Sequence, residues 1–321
     1  MVTFLTNRDV EELLPMKECI DVLEVAFSHA GNGLTHNQPR SRLRMPNGFV
    51  NLMIGYSVGP EISAFGCKIY TAFKGGSGGF LMMLYDSSTG ELLSILEAGA
   101  LGQIRTGAAS GLATKYLAHA DASKVGIIGT GYQAEAQLEA MCEVRNISLV
   151  KAFSRNRDKC ESFAIRMGNK LGIKIVATSS VEELANNSDI LVTITSSRDP
   201  ILKGEWLSPG THINAAGANH WMRREIDDNV VTRSDMVVVD DLSQALLECG
   251  DLLTPVERGT FRWEMAYELK DLASGKLTYS NNGDSITLFE SQGIALEDVA
   301  TAAHVYRKAL VQNVGQKLPI K

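Results

Sequence analysis

Lys124-Val125-Gly126-Ile127-Ile128-Gly129-Thr130-Gly131-Tyr132-Gln133-Ala134 decides the fold. Val125, Ile127 and Ile128 form the short apolar run of a buried parallel strand. Gly129, Gly131 and Ala134 then spell G-x-G-x-x-A. The first glycine permits a tight turn, and the second lets a pyrophosphate approach the backbone. The small third residue lets the following helix pack closely on the strand. That helix points free N–H groups and a positive dipole end at the phosphates. Taken alone, the motif is equally compatible with a plain strand–helix turn. Its surroundings decide the reading: Gln137, Leu138, Met141 and Val144 continue a helix, and 149–153 supplies a second strand. The stretch predicts a dinucleotide site, with Tyr132 and Gln133 opening the helix beside it.

Outward from this stretch, the rhythm to about residue 293 is strand, helix, strand. Strands are expected at 124–128, 148–153, 173–177, 190–194, 211–215, 236–239 and 286–289, with helices such as 157–170 and 264–274 between them. The pattern is a doubly wound α/β domain with a parallel sheet, of the Rossmann type. The first part of the chain reads differently. Pro15 opens a helix with Cys19, Ile20, Leu23, Ala26 and Phe27 on one face, and Gly31-Asn32-Gly33 stops it. Strand-like runs follow at 41–45, 49–54, 62–73 and 80–85, and a turn at 87–90 leads into 92–96 as an antiparallel hairpin. A small-residue helix covers 100–117. The last helix, 296–312, has Val299, Ala302, Ala303, Tyr306 and Leu310 in register and returns to the first part. The expected division is 119–294 as the dinucleotide-binding domain, and 1–118 with 295–321 as an α+β domain for substrate binding and dimerisation.

Composition narrows the function. The 321 residues are 45% hydrophobic and 21% charged, with a net charge of −6 and no basic block. These values fit a globular protein and argue against nucleic acid or an anionic membrane as partner. Five scattered cysteines without a C-x-x-C pair fit a reducing, cytoplasmic location. The six histidines have no metal-ligand spacing, so no metal is expected.

The second strand ends in Ser154-Arg155-Asn156-Arg157, with no acidic residue to take a ribose 2′-hydroxyl. A serine and two arginines suit a 2′-phosphate, so NADP(H) is favoured over NAD(H); a solvated surface turn is the alternative. Thr193, Thr195 and Ser196 end one strand, and Ala216 follows another, where an open parallel sheet presents its ligand crevice. In the first part, Arg40, Arg42, Arg44, Lys68 and Arg105 are the cations of interest. Strand alternation puts Lys68 on the face opposite Cys67 and Ile69. Arg105 stands early in its helix, where charge and helix start together would favour an anion.

Six blocks carry a resemblance: 65–70 (Phe-Gly-Cys-Lys-Ile-Tyr), 102–110, 128–134, 210–218, 238–242 and 288–299. In their order and residues they resemble the ornithine cyclodeaminase/mu-crystallin family, over nearly the whole chain. That resemblance implies a homodimer acting on α-imino or α-amino acids with a bound nicotinamide. It implies that Lys68 and Arg105 hold the substrate carboxylate, aided by Arg40 or Arg42. Thr106, Ser291 and Gly293 would lie by the cofactor. Two positions depart from the cyclodeaminase pattern. Asn219 stands at a catalytic position where cyclodeaminases and the archaeal type of alanine dehydrogenase carry an aspartate that handles the substrate amine, and Asn51 stands where ornithine cyclodeaminases have a glutamate involved with the substrate. An amide is no general base. The expected activity is therefore reduction of an imino acid, or the reverse dehydrogenation. Ornithine cyclodeamination with recycled NAD and non-catalytic NADPH binding are the alternatives.

Overall fold

The computed structural model describes residues 1–59, 63–76 and 78–320; Ile62, the start of one expected strand, lies outside them. Contacts divide the chain into two units, one of 1–105, 273–276 and 293–321, the other of 106–272 and 277–292. The division passes between Arg105 and Thr106, inside a helix, whereas the expected boundary fell after that helix.

In the first unit, strand β1 (Val2–Leu5) and helices α1 (Asn7–Leu13) and α2 (Met16–Gly31) precede a run of strands. These are β2 (Thr35–Met45), β3 (Gly48–Val58), β4 (Ser63–Phe73), β5 (Phe80–Asp86) and β6 (Leu92–Glu97). Helix α3 (Gly99–Leu117) follows. Alternation sorts the strand side chains: Ala64, Gly66 and Lys68 of β4 are buried, while Phe65, Cys67 and Ile69 face the other way. The same holds for Asn51, Met53, Gly55 and Ser57 of β3. Proline at the N-cap of α2 is preset for a helix start, and Cys19, Ile20, Leu23, Ala26 and Phe27 are buried as expected. Burying side chains such as Leu23 and Phe27 contributes about 1.5–3 kcal/mol each.

The second unit alternates. Its elements are β7 (Lys124–Ile128), α4 (Tyr132–Val144), β8 (Leu149–Phe153), α5 (Arg157–Leu171), β9 (Lys174–Ala177), α6 (Val181–Ala185) and β10 (Ile190–Thr193). After them come β11 (His212–Ala215), α7 (Asp228–Arg233), β12 (Met236–Val239), α8 (Leu242–Glu248) and α9 (Gly250–Glu257). Strand β13 (Ala266–Glu268), helix α10 (Leu269–Ala273) and strand β14 (Thr287–Glu290) complete it. The eight strands lie in the order β13-β12-β14-β11-β10-β7-β8-β9. All of their pairings are parallel. The strand order reverses between β7 and β10, the arrangement of a Rossmann sheet. Ile128, Leu191, Ile213, Val239 and Leu288 fill its core. One expectation fails here. The segment 264–274 is not one helix: a 3₁₀ turn at Trp263–Met265 leads into β13, which pairs with β12 at the sheet edge, before α10 begins.

Helix α11 (Ala295–Gln312) and strand β15 (Gln316–Leu318) return to the first unit. There β15 and β1 extend the sheet to seven strands, β15-β1-β6-β5-β4-β3-β2. Helix α11 packs on β3 and β4 and against α2. Every residue from Ala295 to Ala303 is buried, whereas Leu310, expected on the same face, is exposed. No helix among the described residues is long and apolar enough to cross a membrane.

Candidate functional site

In the first unit, Lys68 and Arg105 are 3% and 6% exposed. Lys68 Nζ donates to Asp298 Oδ1 at 2.7 Å and stands 2.6 Å from Oδ2. Arg105 Nε donates to the same Oδ1 at 3.0 Å, and its Nη1 donates to Glu297 Oε2 at 2.6 Å. Arg40 Nη2 donates to the Gly293 carbonyl at 2.8 Å. Gly293 has φ +73°, and a Cβ there would stand 2.5 Å from Arg105 Nη1, so only glycine lets the turn and the guanidinium coexist.

Burial and the Arg105 charge lower the Lys68 ammonium to about 8, only partly opposed by Asp298. Burial works against the Arg105 charge as well, but Asp298 and Glu297 outweigh it and keep the guanidinium firmly protonated. Glu297 is raised by its burial, against the pull of Arg105. The cluster thus holds a fixed cation beside a lysine whose proton is held less tightly than that of a free ammonium.

Sequence reasoning assigned no role to Glu297 or Asp298, which look like ordinary acids of a helix first turn. It also missed Asn37, whose Oδ1 accepts from the backbone of Ala295 at 2.9 Å and Leu296 at 3.4 Å. That contact caps α11, which has no cap from its own N-cap residue, Ile294. Arg105 is not at a helix start: α3 begins at Gly99, so the anion-binding contribution expected from the helix end is absent and the side chain acts by its own charge. Arg42 and Asn51 are brought together, with Arg42 Nε donating to Asn51 Oδ1 at 2.9 Å.

In the second unit, the Gly129–Ala134 turn lies between β7 and α4. Gly129 has φ +110°, and a Cβ there would stand 2.4 Å from the Ile194 carbonyl oxygen, so no other residue fits. Gly131, by contrast, has φ −82° and nothing within 4 Å of a Cβ position. The protein's own packing therefore does not require glycine at 131; it leaves open space at the start of α4, which has no side-chain cap. Ala134 is fully buried, while Tyr132 is exposed and Gln133 half-buried. An open approach to an uncapped thirteen-residue helix fits a dinucleotide pyrophosphate.

At the end of β8, a cavity of about 390 Å³ is lined by Phe153, Ser154, Arg155, Arg157, Thr178 and Ser179, among others. Arg155 is exposed, and Arg157 pairs with Glu161 at 2.8 Å. Thr193 and Ala216 are buried at the ends of β10 and β11, Thr195 is half-buried and Ser196 exposed. Thr106 offers its carbonyl to Gln137 Nε2 at 3.2 Å. Ser291 is buried and continues the β14 ladder, its N–H donating to the Ala215 carbonyl at 3.0 Å. Asn219 is half-buried in the loop after β11. His212 sits inside the sheet, its Nδ1 2.9 Å from Thr287 Oγ1, and burial lowers it to about 3; it is a neutral structural residue.

Comparison with known proteins agrees with this architecture. The pattern of the ornithine cyclodeaminase/mu-crystallin family matches residues 2–313. A Delta(1)-pyrroline-2-carboxylate reductase of Bacillus cereus is 34% identical over 98% of both chains. The structure of Thermococcus litoralis Delta(1)-pyrroline-2-carboxylate reductase in complex with NADH and L-proline is 37% identical. It covers 99% of this chain and 100% of its own, with a TM-score of 0.94. An archaeal alanine dehydrogenase dimer with bound NAD is 33% identical, covers 100% and 99%, and has a TM-score of 0.92. The chain belongs to the ornithine cyclodeaminase/mu-crystallin family.

Proposed function

We propose that this protein is an NAD(P)H-dependent reductase of α-imino acids, or in reverse an amino-acid dehydrogenase. The observation that carries the reading is Lys68: a buried ammonium lowered to about 8 beside the permanently charged Arg105. Arg105 and Lys68 anchor the substrate carboxylate, exchanging part of their hold on Asp298 and Glu297 for it. Lys68, or a water it holds, supplies the proton that an imine nitrogen needs as it becomes an amine. The nicotinamide, when bound, supplies the hydride. Arg40, close enough to lower the Lys68 proton affinity, strengthens the field that holds the acid. The relatives named above act on or bind a cyclic imino acid, proline or alanine by their names, which supports this substrate class. Asn219 supports reduction over cyclodeamination, since an amide neither takes nor gives a proton at neutral pH.

NADP(H) is the favoured nucleotide. Ser154, Arg155 and Arg157 line the cavity at the end of β8, and the stretch 154–157 has no acid to hold a 2′-hydroxyl; Glu183, which also lines the cavity, is paired with Lys151 at 2.7 Å. The solved relatives hold NADH and NAD, so both nucleotides belong in the test. A homodimer is supported by the relative described as one and by the outer face of the seven-stranded sheet. On it Ile54, Tyr56, Ile69 and Leu81 are exposed on adjacent strands, beside the stacked Phe65 and Tyr85 rings. Five free cysteines support a reducing, cytoplasmic location.

The deciding assay follows loss of NADPH or NADH absorbance with Δ1-pyrroline-2-carboxylate, Δ1-piperideine-2-carboxylate, or pyruvate with ammonia. Turnover of any of them supports the reading. Silence across the panel overturns it, and proline formed from ornithine with no net redox change would replace it with cyclodeamination.

A further inference from the structure

Glu225 is fully buried in the loop before α7; among the described residues its carboxyl group has no ion pair, and two backbone N–H groups donate to it. One oxygen accepts from the N–H of Thr195 at 2.5 Å and the other from the N–H of Gly217 at 2.8 Å. Thr195 follows β10 and Gly217 follows β11, the adjacent strands on the far side of the point where the order reverses. The two loops touch: a Cβ on Gly217 would stand 2.5 Å from Glu225 Oε2 and 2.5 Å from both the nitrogen and the oxygen of Thr195. Glu225 is itself held in place. Asp251 Oδ1, in the first turn of α9, accepts from the backbone N–H of Glu225 at 2.8 Å and of Ile226 at 3.0 Å.

We propose that Glu225 is a positioning residue for the nicotinamide half of the dinucleotide site, clamping the loops after β10 and β11 at the spacing the ring requires. In a doubly wound sheet one mononucleotide half lies over the first strands and the other over the strands past the reversal. The turn after β7 and the cavity at β8 serve the adenosine end; the loops after β10 and β11 serve the other. A single carboxylate bridging two backbone amides fixes their separation without a side chain of its own entering the crevice. The inference rests on the dinucleotide reading of the second unit, and the experiment separates the two.

Binding of two probes is measured by titration calorimetry: the reduced nucleotide that the wild-type protein prefers, and its fragment without nicotinamide, ADP-ribose or 2′-phospho-ADP-ribose. In Glu225→Gln, one amide loses its acceptor and meets an NH₂ donor instead. The variant is expected to bind the reduced nucleotide about tenfold more weakly, because loosened loops occupy the binding-competent spacing only about a tenth of the time, with fragment affinity within about twofold of wild type. Nicotinamide fluorescence on binding should fall in parallel. Gly217→Ala, which drives the same loops apart from the other side, should give the same selective loss and decides the matter if Glu225→Gln does not fold. Equal weakening of both probes, or of neither, overturns the proposal while leaving the dinucleotide reading intact. A wild-type protein that binds neither probe removes both.

Discussion

Lys68 and Arg105 meet on one oxygen: Asp298 Oδ1 accepts from Lys68 Nζ at 2.7 Å and from Arg105 Nε at 3.0 Å. One carboxylate thus sets the distance between the lysine and the arginine assigned to the substrate. Perturbing it should be felt at both.

Lys68→Met keeps the length of the side chain and removes the charge. Turnover should fall at least about a hundredfold, the scale of a lost proton donor, while the dissociation constant of the reduced nucleotide stays within about twofold. Steady-state rates and nucleotide titration check this pair of outcomes, and retained turnover would strip Lys68 of its role.

The proton on Lys68 sets a pH limb. With the ammonium lowered to about 8, kcat/KM for reduction should decline as pH rises through that value, and the oxidative direction should gain there. Asp298 favours the charged lysine, so Asp298→Asn should move the limb to lower pH. The same change breaks a buried ion pair and should cost about 3–5 kcal/mol of stability. A limb that stays in place after the substitution contradicts the assignment.

Asn37→Ala removes the cap that β2 lends to α11. A stability loss of about 1 kcal/mol is expected from denaturant titration. Because the capped helix carries Glu297 and Asp298, KM for the imino acid should also rise, more than the stability loss alone explains.

Ser154→Asp places an acid where a 2′-phosphate would sit. NADPH affinity should drop about tenfold or more while NADH affinity holds or improves, measured by fluorescence titration. A protein that prefers NADH before the change would refute the assigned nucleotide.

Ile54→Glu puts a charge in the middle of the exposed apolar sheet face. Sedimentation should show a monomer in place of a dimer. An unchanged dimer would place the interface elsewhere.

What the sequence revealed of all this was mostly local. Strand β7 and its glycine turn were legible because the apolar run, the turn and the helix are consecutive, and the orientation of Lys68 followed from alternation within β4. The rest depended on partners far along the chain. Strand β1 is four residues long, and only its pairing with β6 and β15 makes it a strand. Residues 266–268 carry a helical period that edge pairing with β12 overrides. Asp298, Asn37 and Glu225 are polar residues of ordinary appearance; their contacts reach 230, 258 and 30 positions away, beyond any periodic signal.

Those distances also order the birth of the protein. Lys68 leaves the ribosome 230 residues before Asp298 does, and Arg105 is made 192 residues ahead of Glu297. Translation of the interval lasts roughly ten to forty-five seconds. Throughout it, the two cations lack the carboxylates that pair with them in the folded protein, and the face of β3 and β4 that the final helix covers has nothing yet made to cover it.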